Sequence, residues 1–220
     1  MCGRFAQSEN AVRYAHALDP GWTPPDMDLK PTWNMAPSLK ALVFHDDDSG
    51  HVAELQTWGL LPSWADPKNS QKPINARVET AATKPYFRRA WKTGRCLIPA
   101  DGWYEWTETP TGKVPFFIHS ANNQPIFMAG LYETNAHAHV SSFTILTREA
   151  SDALREIHER EPLVLSAAQG RDWIRKDLPA EDVANLAQHS LSGQSFAWHV
   201  VSTRVNSPRN DGADLIAPSE

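Results

Sequence analysis

Between residues 95 and 147 the chain reads as a succession of short strands, at 95–99, 102–107, 115–119, 126–132 and 142–147. Thr109-Pro110-Thr111-Gly112 and Asn122-Asn123 supply turn residues between some of them. Upstream, 39–45 and 51–58 are also strand-like, separated by Asp46-Asp47-Asp48-Ser49-Gly50, a hairpin-type turn. Helical patterns fall outside this block, at 8–17, 79–92, 149–157, 166–176 and 181–190, and a late strand covers 196–202. Prolines make loops of 19–37 and 59–75, and the tail from about 203 is irregular. Strands in the middle and helices at the ends predict an α+β fold: one domain over 1–220, with a curved, mostly antiparallel sheet or open β-barrel and flanking helices.

Composition narrows the function. No stretch approaches the ~20 apolar residues of a membrane span, and the N-terminus lacks a basic-then-apolar signal pattern. Two cysteines, Cys2 and Cys96, are too few for a disulfide framework or a thiolate zinc site, which points to a reducing, cytoplasmic setting. His137 and His139 form a metal-like pair with no third ligand at a useful spacing, and no cofactor motif is present, so neither metal nor cofactor is expected. The net charge of −5 argues against a globally basic nucleic-acid binder. Charge is nevertheless uneven. Lys72, Arg77, Lys84, Arg88, Arg89, Lys92 and Arg95 face a single acid, Glu79, with Tyr86, Phe87 and Trp91 interleaved. Such a run suits either a phosphate backbone or a solvated helix face.

Cys2 carries the most distinctive chemistry. Removal of Met1 would leave an α-amine of pKa near ~7.7–8.0 and a thiol near ~8.5 on one residue. The amine condenses with an aldehyde to an imine, and the thiol closes on that imine as a five-membered thiazolidine. An N-terminal Cys is therefore an aldehyde trap, although position 2 taken alone could hold any small residue.

Three other segments offer partners. In Asp101-Gly102-Trp103-Tyr104-Glu105-Trp106, strand alternation points Glu105 with Trp103 and sends Tyr104 and Trp106 the other way. A carboxylate among indoles is poorly solvated, which raises its pKa and suits acid/base work near neutrality; a Glu facing water is the plainer alternative. In Ile157-His158-Glu159-Arg160-Glu161-Pro162, His158 ends a helix whose C-terminus would favour imidazolium, and Arg160 could hold a phosphate; a capping His is equally compatible. In Asn75-Ala76-Arg77-Val78-Glu79-Thr80, Asn75 could orient a reacting group or cap a helix, and Arg77 could bind phosphate. Asn34-Met35-Ala36-Pro37 and Trp58-Gly59-Leu60-Leu61-Pro62-Ser63-Trp64 add loop-borne polar and aromatic groups.

In order along the chain, Met1-Cys2-Gly3-Arg4-Phe5, Asn34-Met35-Ala36-Pro37, Trp58-Gly59-Leu60, Ile74 to Thr80, Asp101 to Trp106, Ile157 to Arg160 and Val201-Ser202 resemble the SRAP family of SOS-response-associated peptidases, also called abasic-site processing proteins. Each motif alone is weak, and the ordered set is specific. The resemblance implies an α+β domain that binds single-stranded DNA and cross-links through Cys2 to the aldehyde of a ring-opened abasic sugar. It assigns Glu105 as acid/base carboxylate, His158 as donor to the sugar oxygen and Asn75 as the group positioning Cys2 and sugar. Arg4, Arg77 and Arg160 take phosphate-facing positions, while Asn34, Pro37, Trp64 and Thr147 fall by the DNA channel and sugar pocket. It further implies a DNA-damage protein of the cytoplasm, nucleoid-associated in a bacterium, with monomer as the default state and no metal, cofactor or membrane partner.

Two positions depart from the family pattern. Glu161 follows His158-Glu159-Arg160 where the family usually has Met or Arg; it either opposes DNA phosphates or pairs with a nearby Arg. Trp64-Ala65 stands where some bacterial members carry two adjacent Trp, so one stacking surface is absent. Two other functions stay open on sequence: a thiol autopeptidase that removes its own Met1, with weak lyase activity possible, and a non-catalytic module that binds single-stranded nucleic acid by Trp stacking.

Overall fold

A computed structural model of the chain describes residues 2–110 and 112–219; Met1, part of the thiazolidine expectation, and Thr111, part of an expected turn, lie outside the described residues. The strands are β1 (Phe5–Gln7), β2 (Thr32–Met35), β3 (Lys40–Asp47), β4 (Gly50–Trp58), β5 (Asn75–Arg77), β6 (Arg95–Ala100), β7 (Gly102–Thr109), β8 (Gly112–Ser120), β9 (Ile126–Asn135), β10 (Val140–Glu149), β11 (Arg160–Pro162), β12 (Val164–Leu165) and β13 (Phe196–Val200). The helices are α1 (Ala11–Leu18), α2 (Val78–Ala81), α3 (Arg88–Thr93), α4 (Asp152–Arg155), α5 (Ala167–Ile174) and α6 (Ala180–Gln188). Among the described residues, no helix is long and apolar enough to cross a membrane.

The expected α+β class holds, with the strands divided between two sheets. The smaller runs β13-β8-β7-β1-β2, all antiparallel. The larger runs β11-β10-β4-β3-β6-β9-β12; β10 pairs with both β4 and β9, so this sheet curls back on itself. Among the described residues, only β10 with β4 and β10 with β5 are parallel.

Period-two alternation explains the layering. In β3, Leu42 and Phe44 face the helical side, joining Tyr14 and Leu18 of α1 and Trp173 of α5. Val43 faces the other way, into a core between the sheets with Trp58, Ile98, Phe143 and Ile145 from the large sheet and Phe5, Trp103 and Ile118 from the small one. Burial on both faces accounts for the unbroken apolar run Ala41-Leu42-Val43-Phe44. The outer face of the small sheet is covered by the C-terminal segment, where Val201, Val205 and Leu215 pack on Tyr104 and Phe117.

Several elements differ from expectation. The Pro-rich stretch 19–37 contains β2, which pairs with β1. The helix expected over 79–92 is two short helices, because Pro85 has no N–H to donate and crowds the preceding turn. The helix expected over 149–157 is only α4, four residues long. The tail from 203 is not irregular: it forms 3-10 turns at Thr203–Asn206 and Ala213–Ile216, tied back by a Val201–Pro218 bridge.

Gly94 closes α3 against β9. Its N–H donates to Ala90 O and its carbonyl accepts from Tyr132 N, each at 2.7 Å. A Cβ there would lie 2.1 Å from the Tyr132 carbonyl oxygen, backbone that cannot swing aside. Gly94→Ala is expected to destabilise the fold by about 1–3 kcal/mol, read as a lower urea midpoint with an unchanged slope.

Candidate active site

Cys2 lies just before β1 and is fully buried. Its carbonyl accepts a 2.8 Å hydrogen bond from Asn75 Nδ2, and its Sγ lies 4.0 Å from the Arg4 carbonyl. Asn75 is no helix cap. It opens β5, which pairs in parallel with β10 at Asn75–Ile145, and the capping position of α2 falls to Arg77. A strand of three residues thus fixes the amide that holds the N-terminal segment.

Glu105 is in β7, two residues from Trp103, and the β1–β7 register sets Phe5 opposite Trp103. Trp103 fills the core between the sheets, while Glu105, 3% exposed, lines a cavity of about 570 Å³ shared with Arg4, Trp106, Lys113, Ile157 and His158. Burial pushes its carboxyl up to about 7, as expected of a carboxylate among indoles. Burial also raises the Cys2 thiol, and the charge of Glu105 raises it further, so the thiol is protonated at neutral pH.

His158 follows α4, its N–H bonded to the Leu154 carbonyl at 3.0 Å. The imidazolium expected from a helix C-terminus is not what the structure supports. Burial lowers the pKa of His158, and a four-residue helix has little dipole to oppose that. The Arg160 N–H points at Nδ1 from 3.0 Å; when Nδ1 accepts it, the neutral ring carries its proton on Nε2.

The remaining predicted residues separate into exposed and internally bonded groups. Arg4 donates from Nη1 to Asn34 Oδ1 (2.6 Å) and the Val205 carbonyl (2.9 Å), and lies 6.0 Å over the Trp106 ring. Asn34 is buried, its amide facing the carbonyls of Val205, Ser207 and Asn210 at 3.3, 3.1 and 2.8 Å. Arg160 is bidentate to Glu79 at 2.7 and 2.9 Å and bonds the carbonyl of Thr147, itself buried. Arg77 is exposed and Pro37 half-buried. Trp64 is 61% exposed, edge-on to Tyr86 at 5.7 Å.

The two departures have structural accounts. Ala65 is buried and its carbonyl accepts from Asn135 Nδ2, so a Trp there would have to leave the core. Glu161 is buried and paired with Arg148 at 2.8 Å, which removes the conflict with phosphate. Of the basic run, Arg95 is internal, donating to the carbonyls of Trp173, Trp91, Lys92 and Arg175, while Lys72, Arg77, Lys84, Arg88, Arg89 and Lys92 are exposed. Sequence reasoning missed Lys113 and Asn206 in the cavity wall. The β7–β8 hairpin register, Glu108 opposite Lys113, was the available signal for the first; Asn206 arrives through the folded-back tail and had none.

The sequence profile described as SOS response associated peptidase (SRAP) matches residues 1–208. The chain is 38% identical to the abasic site processing protein YedK of Escherichia coli, covering 99% of this chain and 100% of that one. It is 33% identical to YoaM of Bacillus subtilis, an abasic site processing protein, with coverages of 98% and 97%. The HMCES protein of Xenopus tropicalis, of the same description, is 30% identical over 99% of this chain and 78% of its own. Among solved structures, a phage-related protein of Bordetella bronchiseptica superposes with a TM-score of 0.76 at 29% identity, covering 91% of this chain and 94% of that one. A Bacteroides thetaiotaomicron protein shares the fold at TM-score 0.83 and 20% identity, over 98% of this chain and 100% of its own. With the family profile matched over residues 1–208 and 38% identity to YedK along 99% of its length, the chain belongs to the SRAP family.

Proposed function

We propose that this protein senses abasic sites in single-stranded DNA and, once Met1 is removed, captures them covalently through Cys2. One observation carries the reading: Cys2 is held at its carbonyl by Asn75 within electrostatic reach of Glu105, which shares a cavity with Arg4 and His158. The descriptions of the relatives as abasic site processing proteins agree with it.

The ring-opened abasic sugar offers an aldehyde at C1′. The Cys2 amine adds to C1′ and the carbinolamine loses water, giving an imine. The thiol then adds to C1′ while its proton passes to nitrogen, closing a thiazolidine. The net change is protein plus DNA minus one water. An imine left open acidifies C2′ and promotes strand cleavage, so thiol closure shields the lesion. Because the thiol is neutral in its buried setting, it needs a base at the moment of attack, and Glu105, near half-ionised at neutrality, serves as that base and returns protons in other steps. His158, which burial drives toward its neutral form, donates to the sugar oxygen through Nε2 in the tautomer whose Nδ1 accepts the Arg160 N–H. Arg77 and the exposed basic residues of 72–92 meet phosphates, Trp64 offers a stacking face, and Asn34, Pro37, Thr147 and Arg160 shape the channel behind them. The protein acts as a monomer in the cytoplasm, with no metal or cofactor. Self-removal of Met1 by the same groups is a compatible activity, tested by intact mass after expression without a host Met aminopeptidase; retained Met1 would refute it.

Two outcomes test the reading. Cys2→Ala should give no SDS-stable adduct with an abasic single strand and should instead nick it slowly, because an amine remains without its thiol; undiminished adduct on a denaturing gel would overturn the assignment. Glu105→Gln should slow capture and lose the part of the pH–rate profile that rises through about 7 in the parent protein. The same change tests the cost of burying that group. A carboxyl raised in the folded state favours folding below its unfolded pKa and loses that contribution as pH climbs through about 7. Glu105→Gln should therefore be the more stable protein above pH ~8, by roughly 3 kcal/mol, and equal to the parent near pH ~4.

A further inference from the structure

The hairpin formed by β10 and β11 carries in its loop both α4 and His158, with Arg148 opposite Glu161 and Glu149 opposite Arg160. Glu161 is 2% exposed. Its Oε1 accepts from Arg148 Nε at 2.8 Å and from Nη2 at 2.5 Å; its Oε2 accepts from Ser151 N at 3.1 Å and Ser151 Oγ at 3.0 Å. Ser151 is the residue before α4, and its own side chain makes no capping bond, so the Glu161 carboxylate is what its N–H and hydroxyl find. The knot reaches further: Arg148 Nη2 donates to the Leu191 carbonyl at 2.8 Å, and Gly193 N donates to Ser151 Oγ at 3.3 Å. One buried carboxylate thus joins β10, β11, the start of α4 and the 191–193 segment.

We propose that Glu161 is a positioning residue for His158 in the capture reaction, an inference that rests on the function proposed above. Two of the backbone groups that hold His158 are tied to what Glu161 pins: the Leu154 carbonyl lies in α4, within the loop, and the Arg160 N–H opens β11. Ser151 anchors the first turn of α4, whose Leu154 carbonyl accepts the N–H groups of Ile157 (2.9 Å) and His158 (3.0 Å). Arg160 is the chain neighbour of Glu161 itself. Freeing the carboxylate releases α4 from the sheet and shifts the imidazole along the cavity, and a displacement on the order of 1 Å costs about 100-fold in a positioned reaction. At the foot of the loop Arg160 of β11 pairs with Glu79 of α2, so the hairpin remains folded while the angle of α4 changes.

The test is a double-mutant cycle on the rate of SDS-stable adduct formation with an abasic single strand. Glu161→Ala should slow capture about 10- to 100-fold, with unchanged affinity for an intact strand of the same sequence. In a His158→Ala background it should have no further effect. Glu161→Gln, which keeps an oxygen toward Ser151, should recover much of the rate. Capture by Glu161→Ala at the parent rate would overturn the proposal, and so would equal slowing in both backgrounds, because that marks general loss of folding. If removing the carboxylate beside Arg148 unfolds the protein, the Arg148→Met/Glu161→Met pair leaves no unpaired buried charge and enters the same cycle. A parent protein that forms no adduct overturns the capture reaction itself, which separates that failure from a failure of the Glu161 role.

Discussion

The fold depends on how firmly its first strand is held. Chain termini ordinarily fray, yet Phe5, Ala6 and Gln7 are all buried. Gln7 is the fastening: its Nε2 donates to the carbonyls of Leu42 and Pro99, and its Oε1 accepts the Leu42 N–H at 2.8 Å. These bonds tie β1, in the small sheet, to β3 and β6 in the large one. A buried amide with its partners arranged this way is costly to disturb, because any loss leaves polar groups stranded in the core. Phe5 adds a ring contact to Trp58 at 5.0 Å on the same side as the intersheet core. Cys2, three positions before Phe5 and itself held at its carbonyl by Asn75, has little freedom left.

The anchoring sets the electrostatics in turn. Pulling the N-terminal segment between two sheets removes water from Cys2 and from Glu105, and both are driven toward their neutral forms. The fold offsets this strain with polar order elsewhere: Ser8 N, Ser8 Oγ and Tyr14 Oη all converge on Asp101, at 2.8, 2.8 and 2.6 Å, just before the strand that bears Glu105. Asp101 faces the scaffold, accepting from Ser8 and Tyr14, and Glu105 faces the cavity. Two acids four positions apart thus meet different surroundings, and it is the one at the cavity whose pKa is pushed up to about 7.

Much of this was legible in the sequence where the signal is local. The strands from β6 to β10 and the β3–β4 hairpin follow from alternation and turn residues, and the raised pKa of Glu105 follows from its poorly solvated place in the indole-rich strand. What was not legible depends on contacts distant along the chain. β2 and β5 have four and three residues, too short for any period to register, and exist because β1 and β10 pair with them. The tail looked irregular because its order comes from Asn34, about 170 positions earlier. The charge state of His158 was misjudged because helix length and burial, which decide it, are tertiary outcomes. Arg95 shows the same limit from the other side, since a basic residue in a basic run proved to be a buried clamp for carbonyls.

The clasp between Arg4, Asn34 and the 205–210 segment bears on the order of events during synthesis. The carbonyls that Arg4 and Asn34 bind, at Val205, Ser207 and Asn210, lie 171 to 201 positions later in the chain and are made correspondingly later. Until translation has passed residue 210, those carbonyls are not all available to bind. Before then Arg4 lacks its bond to the Val205 carbonyl, and the outer face of the small sheet lacks its cover of Val205 and Leu215. The cavity wall that Arg4 lines is consequently completed only after the 205–210 segment has been made and has folded back onto residues near the start of the fold.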